Sequence, residues 1–221
     1  MRKINVLELF AGSRSIGNVA EFLGMNVFSV DWQPFDKINL VGDIGKMTIE
    51  DVPFIPDFIW ASPDCTTYSI AGISHHRNGC IPISDYAKQC DQTNEHFIEL
   101  IMQWKELNSK LIFFIENPRG MMRKMDFVKS FRNECVWYCA YGDDRAKPTD
   151  LFTNSTTWKP RMKCWNDNPF CNHERAPRGS QTGTQGRNKT FDKSKIPNQL
   201  CFEVLNDFAS YFNFENQLTL F

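Results

Sequence analysis

Asp57-Phe-Ile-Trp-Ala-Ser-Pro-Asp-Cys-Thr-Thr-Tyr-Ser-Ile-Ala-Gly72 is the stretch on which the reading of this chain turns. Phe58, Ile59, Trp60 and Ala61 make a short apolar run that breaks at Ser62-Pro63-Asp64 and gives way to Cys65 and small hydroxyl residues. Such a run, ending at a Ser/Pro cluster, reads as a buried strand delivering a loop to the carboxyl edge of a sheet. Open α/β sheets bind their ligands at that edge, so Cys65 stands where a nucleophile would be useful. The plainer reading is that Cys65 is one buried thiol among eight cysteines.

Upstream, Ile4 to Phe10 reads as a first buried strand, and Ala11-Gly12-Ser13-Arg14-Ser15-Ile16-Gly17 as a tight turn into a helix over Asn18 to Leu23. Gly12 lets backbone approach a ligand closely, and free amides at a helix start favour polar or anionic groups. Met25 to Asp31 is a second strand. Its terminal acid comes about twenty residues after the glycine turn, where a carboxylate can accept from both hydroxyls of a ribose. Leu40-Val-Gly-Asp-Ile44 is a third strand end, and Asp43 is suited to accept from an adenine amino group. Three such ends in series carry more weight than any one of them.

Downstream, residues 73–82 read as a mobile polar loop with His75, His76 and Arg77, and Asp85 to Leu107 as an amphipathic helix with Phe97, Leu100, Ile101 and Trp104 inward. Leu111 to Ile115 is another buried strand, ending at Glu116-Asn117-Pro118. The basic residues Arg119, Arg123, Lys124, Lys129 and Arg132 that follow are suited to phosphate contacts or to a solvated face. Glu134 to Tyr141 is a sixth strand. Ile196-Pro197 opens a helix to about Phe212, and the tail to Phe221 is peripheral.

The chain has 221 residues, 42% hydrophobic and 23% charged, as expected of a folded domain with one sizeable core. No segment approaches a membrane span, and the acidic Glu8 near the start does not suit a secretion signal, which places the protein inside a cell. Eight cysteines there read as thiols or metal ligands rather than a disulfide framework. The net charge of −1 hides an asymmetry: residues 157–195 carry nine Lys/Arg against three Asp/Glu. Trp158, Trp165, Phe170 and Phe191 interleave with those basic residues, as in surfaces that stack bases and neutralise phosphates. Cys164, Cys171 and His173 fall close together in the same segment. They suggest a structural zinc ion, with Cys139 as a candidate fourth ligand.

Pro63-Asp64-Cys65-Thr66-Thr67-Tyr68-Ser69-Ile70-Ala71-Gly72 resembles the Pro-Pro-Cys-Gln-x-Phe-Ser-x-Ala-Gly loop of the DNA (cytosine-5)-methyltransferases, in a short phage- or bacterial-type form. Leu9-Phe10-Ala11-Gly12 is similar to that family's cofactor turn, Asp31 to its ribose acid, Gly42-Asp43-Ile44 to its adenine acid, and Glu116-Asn117-Pro118 to its Glu-Asn-Val. The resemblance implies an α/β fold, a Rossmann-like S-adenosylmethionine-dependent methyltransferase sheet. In that scheme 1–156 is the catalytic core, 157–195 a small target-recognition insert, and 196–221 a C-terminal helix completing the core. It implies Cys65 as the nucleophile, Glu116 at the N3 edge of the target cytosine, Asn117 holding the Cys loop and Arg145 steadying the base. The cofactor would lie against Phe10, Ala11, Gly12, Asp31, Trp32, Asp43, Ile44 and Pro63. The partner implied is double-stranded DNA; cytosine in RNA or a free nucleotide, or cofactor and nucleic-acid binding without catalysis, are the alternatives left open. Arg14 and Ser15 stand where the family has Gly-Gly, tolerable for an Arg pointing outward. Asp64 replaces the family's second Pro. Of the family's Gln-x-Arg-x-Arg, only Arg145 remains, with Lys147 two residues on.

Overall fold

The structure is a computed structural model describing residues 2–70, 72–165, 168–171, 173 and 190–218. The apolar runs become a seven-stranded sheet of β1 (Asn5–Leu9), β2 (Asn26–Asp31), β3 (Leu40–Val41), β4 (Phe58–Ala61), β7 (Ile112–Pro118), β8 (Arg132–Trp137) and β9 (Pro148–Thr153). Their spatial order is β3-β2-β1-β4-β7-β9-β8. The first five are parallel, and β9 runs antiparallel to both β7 and β8. A two-residue pair, β5 (Arg77–Asn78) and β6 (Ile81–Pro82), forms a separate small hairpin.

Side chains alternate strictly across the central strands. Val6, Phe58, Trp60 and Phe114 face α1 (Ser15–Phe22) and α5 (Asn198–Leu218). Leu7, Leu9, Ile59, Ala61, Phe113 and Ile115 face α3 (Asp85–Leu107), through Phe97, Ile101 and Trp104. Burial on both faces is why these strands read as continuous apolar runs in the sequence. Ser84 caps α3 by accepting from the Ala87 amide. The short helices are α2 (Ile73–His76) and α4 (Thr190–Ser194). Among the described residues, no helix is long and apolar enough to cross a membrane.

Several sequence expectations are corrected. The sixth strand ends at Trp137 and passes into a 3₁₀ turn over Tyr138–Tyr141. Pro148–Thr153 is a seventh strand that the sequence reading missed. The C-terminal helix continues beyond Phe212 to Leu218. Trp158, expected on a base-stacking surface, is core: it is buried with its ring edge-on to Phe114.

Candidate active site

The Cys65 loop leaves β4 at the sheet's carboxyl edge and is tied down on several sides. The Asn117 side-chain amide, at the end of the adjacent β7, donates to the Pro63 carbonyl at 3.2 Å. Amides of Tyr68 and Ser69 return to the Cys65 carbonyl, closing a turn. Tyr68 is fully buried, its hydroxyl donating to Asp91 and accepting from the Asn94 amide at 2.7 Å, both on α3. Gly120 is required where this loop meets the one after β7, because a Cβ there would lie 2.3 Å from the Tyr68 carbonyl oxygen. Residues 73–82, expected to be mobile, are pinned by Arg77. Its buried guanidinium lies 4.2 Å above the Tyr68 ring and donates to the Thr67 carbonyl and to Asp91.

Asp64, the departure from the family loop, spends its carboxylate on the Thr66 amide and the Tyr86 hydroxyl. Burial is the main reason the Cys65 thiol is pushed up to about 11; Lys147 opposes the rise, while Glu116 and Asp64 add to it. Cys65 and Glu116 therefore share one electrostatic neighbourhood, as expected of residues at the ends of paired parallel strands. Glu116 is buried and accepts from the Tyr138 hydroxyl at 2.8 Å; the Lys147 ammonium is 3.7 Å from the same oxygen and 4.7 Å from the Tyr138 ring centre. Sequence reasoning did not single out Tyr138, and it mentioned Lys147 only in passing. The signal available was the Tyr at the end of the β8 run and a Lys just ahead of a Pro-initiated strand.

Arg145, expected to steady the base, has internal partners among the described residues. Its buried guanidinium is gripped by Asp143 and donates to the carbonyls of Lys193 and Lys195 at 2.9 and 3.0 Å. Those bonds engage the cation in holding the segment around α4 against the core. Lys147, also donating to the Lys193 carbonyl, is the cation beside Glu116.

On the cofactor side, Phe10 (φ 54°), Gly12 (φ 47°) and Arg14 (φ 53°) take left-handed backbone through the turn after β1. Buried Asp31 accepts from the amides of Gly12 (2.8 Å) and Gln33 (2.9 Å), which leaves each carboxylate oxygen a further lone pair. Trp32 is exposed, and Asp43 accepts from the Gly45 amide. Asp43 also lines a cleft of about 150 Å³, together with Val30, Leu40, Gly42, Lys46, Met47 and Asp51. Ala11 donates from its amide to the Val30 carbonyl, Ile44 is buried at the cleft's 3₁₀ turn, and Pro63 lies in the Cys65 loop. The Ile196 amide, ahead of α5, donates to the Ser15 hydroxyl.

Arg14 does not point outward. It is buried, donating to the Ser29 hydroxyl at 3.0 Å and to Glu21, and beside it lies buried Glu8. Glu8 accepts from the Ile16 amide and the Ser29 hydroxyl, and burial still pushes its carboxyl up to about 7. Gly17 makes room for it: a Cβ there would sit 2.6 Å from a Glu8 oxygen.

Residues 157–195 are described only in part: Arg175, Arg178 and Arg187, three of the basic residues suited to nucleic-acid contacts, and the Gly-containing stretch 178–186 lie outside the described residues. Within the described part Phe170 is 92% exposed and Trp165 half-exposed, while Phe191 packs on Phe35. Cys164, Cys171 and His173 come together, joined by Cys139 from the 3₁₀ turn after β8. Much of the basic stretch after β7 has internal partners: Arg123 pairs with buried Asp150, Lys129 with Asp126, and Arg132 with Glu134 and the Trp158 carbonyl.

No protein-family model and no curated protein sequence matches the chain. Among solved structures it is similar to the Entamoeba histolytica methyltransferase EhMeth, with a TM-score of 0.52 and 16% identity over 69% of this chain and 53% of that one. It is also similar to an Escherichia coli protein described as a candidate DNA modification methyltransferase encoded within a prophage (TM-score 0.48, 17% identity, 68% and 46%). S. pombe Dnmt2 methyltransferase is a third (TM-score 0.45, 12% identity, 72% and 52%). The chain spans about half the length of these proteins. The EhMeth likeness concerns the fold, which is that of a Rossmann-like methyltransferase, the class the motifs indicated.

Proposed function

We propose that this chain transfers a methyl group from S-adenosylmethionine to C5 of a cytosine in nucleic acid, DNA foremost, through a covalent Cys65 adduct. The observation that carries this is that Cys65, in the loop leaving β4, feels the charge of Glu116 on the adjacent parallel β7, while the Asn117 amide donates to the Pro63 carbonyl of that loop. Residues that would hold the cofactor support this reading: Asp31 keeps spare lone pairs beside the Gly12 turn for the ribose hydroxyls, and Asp43 is an acceptor in a cleft whose apolar walls are Val30, Leu40 and Met47. Bound there, S-adenosylmethionine supplies an electrophilic methyl group for C5.

Cytosine C5 is a poor nucleophile, and the side chains remedy that. The Cys65 sulfur, having given its proton to solvent, adds to C6 while Glu116 delivers a proton to N3, so the ring becomes enamine-like and C5 can take the methyl group. Loss of the C5 proton to solvent then expels the thiolate, which takes a proton back from solvent, and N3 returns its proton to Glu116. Lys147 is the charge that favours the thiolate over the resting thiol. Tyr138 orients the Glu116 carboxyl by hydrogen bonding. In a duplex the base must leave the stack, at a cost of a few kcal/mol.

The test is an oligonucleotide carrying 5-fluorocytosine, in which fluorine blocks the last elimination. The wild-type chain is expected to form a lasting adduct, and Cys65→Ser to lose both adduct and methyl transfer while keeping cofactor binding. Methyl transfer by Cys65→Ser at the wild-type rate would exclude covalent catalysis. DNA, RNA and dCMP run in parallel identify the substrate; transfer to none of them leaves a binding module.

A further inference from the structure

We propose that Cys139, Cys164, Cys171 and His173 bind one zinc ion, forming a closed structural site that staples the insert to the catalytic core. One ligand atom from each of the four lies within 4.8 Å of every other. His173 Nδ1 is 3.1 Å from the Cys171 sulfur and 3.6 Å from the Cys164 sulfur. A tetrahedral zinc, with bonds of about 2.3 Å to sulfur and about 2.0 Å to nitrogen, sets its ligands about 3.5–3.8 Å apart, so the cluster needs little adjustment. Three thiols and an imidazole without a carboxylate are a donor set suited to zinc. Four protein ligands leave no position for water, which makes the site structural.

Two further observations point the same way. The Asn168 side-chain amide lies 3.4 Å from the Cys164 sulfur, as the outer hydrogen bonds of metal thiolates do. Among the described residues between Trp158 and Phe191, Met162 is 84% and Phe170 92% exposed, so neither side chain anchors this stretch. A piece this small needs a staple. Its entry is fixed by Arg161, which donates to the Ala140 carbonyl at 2.7 Å and lies over the Tyr141 ring. Zinc would fix its far side to Cys139 in the same 3₁₀ turn. Because Cys139 follows Tyr138, the ion would also steady the turn whose hydroxyl meets Glu116. Binding would displace three thiol protons to solvent and leave the histidine neutral.

The full-length chain, purified under reducing conditions, is to be assayed by elemental analysis and by native mass spectrometry. The expected result is about one zinc per chain, falling below about a tenth in Cys139→Ser and in His173→Ala, with Cys80→Ser retaining it. Cys80 is an exposed thiol in the small hairpin and belongs to no part of the cluster. Should a cluster variant fail to fold, cobalt(II) exchange into the wild-type chain decides: the absorption of a tetrahedral thiolate site supports the proposal. A wild-type chain that holds no zinc and takes up no cobalt overturns it. So does full zinc retention in Cys139→Ser, or recovery of two of these cysteines as a disulfide under the same conditions. None of these readings depends on methyl transfer.

Discussion

At the scale of single residues, the site is a thiol held protonated beside a carboxyl that two neighbours control. Lys147 is the cation that draws the Cys65 thiol down against burial. Lys147→Met is therefore expected to raise that thiol further above about 11 and to slow its alkylation, about tenfold for each unit gained, as read by peptide-resolved mass spectrometry at constant pH. An unchanged rate would mean that the Lys147 charge is not felt at the sulfur. Tyr138→Phe removes one hydrogen bond from Glu116 and is expected to lower kcat for methyl transfer by about tenfold, with little change in cofactor affinity. Cys65, Glu116 and Asn117 were legible because each ends or follows an apolar run. Tyr138 and Lys147 were not, since their place beside Glu116 depends on β9 turning back antiparallel to β7, a pairing of residues far apart in sequence.

At the scale of elements, strands buried on both faces announced themselves, whereas β9 carries a Pro at its start and an Asp in its middle. Asp150 is tolerable there because Arg123 pairs with it, a partnership invisible in the sequence. Aromatic residues in the basic segment were likewise read as one set, and the fold divides them. Trp158 fills the core against Phe114, so Trp158→Ala is expected to cost about 3–5 kcal/mol in denaturant unfolding. Phe170 is in solvent, so Phe170→Ala should leave stability within about 0.5 kcal/mol. If Phe170 stacks a base, the same variant weakens binding of a single-stranded oligonucleotide about fivefold or more, since each stack is worth about 1–3 kcal/mol. Unchanged binding would place the interface elsewhere.

At the scale of the whole molecule, the buried Glu8 makes global stability depend on pH. Its folded carboxyl titrates near 7 against an ordinary value of 4.5, so the folded state holds this proton more tightly than the unfolded chain. The resulting stabilisation is fully present below about pH 4.5 and is lost as pH rises through about 7, with a span of roughly 3 kcal/mol. Glu8→Gln, which carries no titrating proton, is expected to flatten the fall in unfolding free energy across that window. An identical slope in urea titrations of both proteins would show that Glu8 titrates alike in the folded and unfolded chains. No sequence pattern announced this, because a Glu within an apolar strand becomes buried only once Gly17 and Arg14 close over it.

The late arrival of α5 has a further consequence, for synthesis rather than catalysis. Phe58, Trp60 and Phe114 are covered on one face by a helix whose Leu200, Val204, Leu205 and Phe208 come more than eighty residues after Phe114 in the sequence. On a ribosome adding about 5–20 residues per second, the strands emerge several seconds before their cover. Through that interval the nascent chain presents a broad aromatic face to its surroundings, a natural landing place for a chaperone. A ribosome stalled before residue 198 is expected to yield nascent chains that aggregate on release, and one stalled far enough beyond Phe212 for α5 to emerge is expected to yield chains that do not.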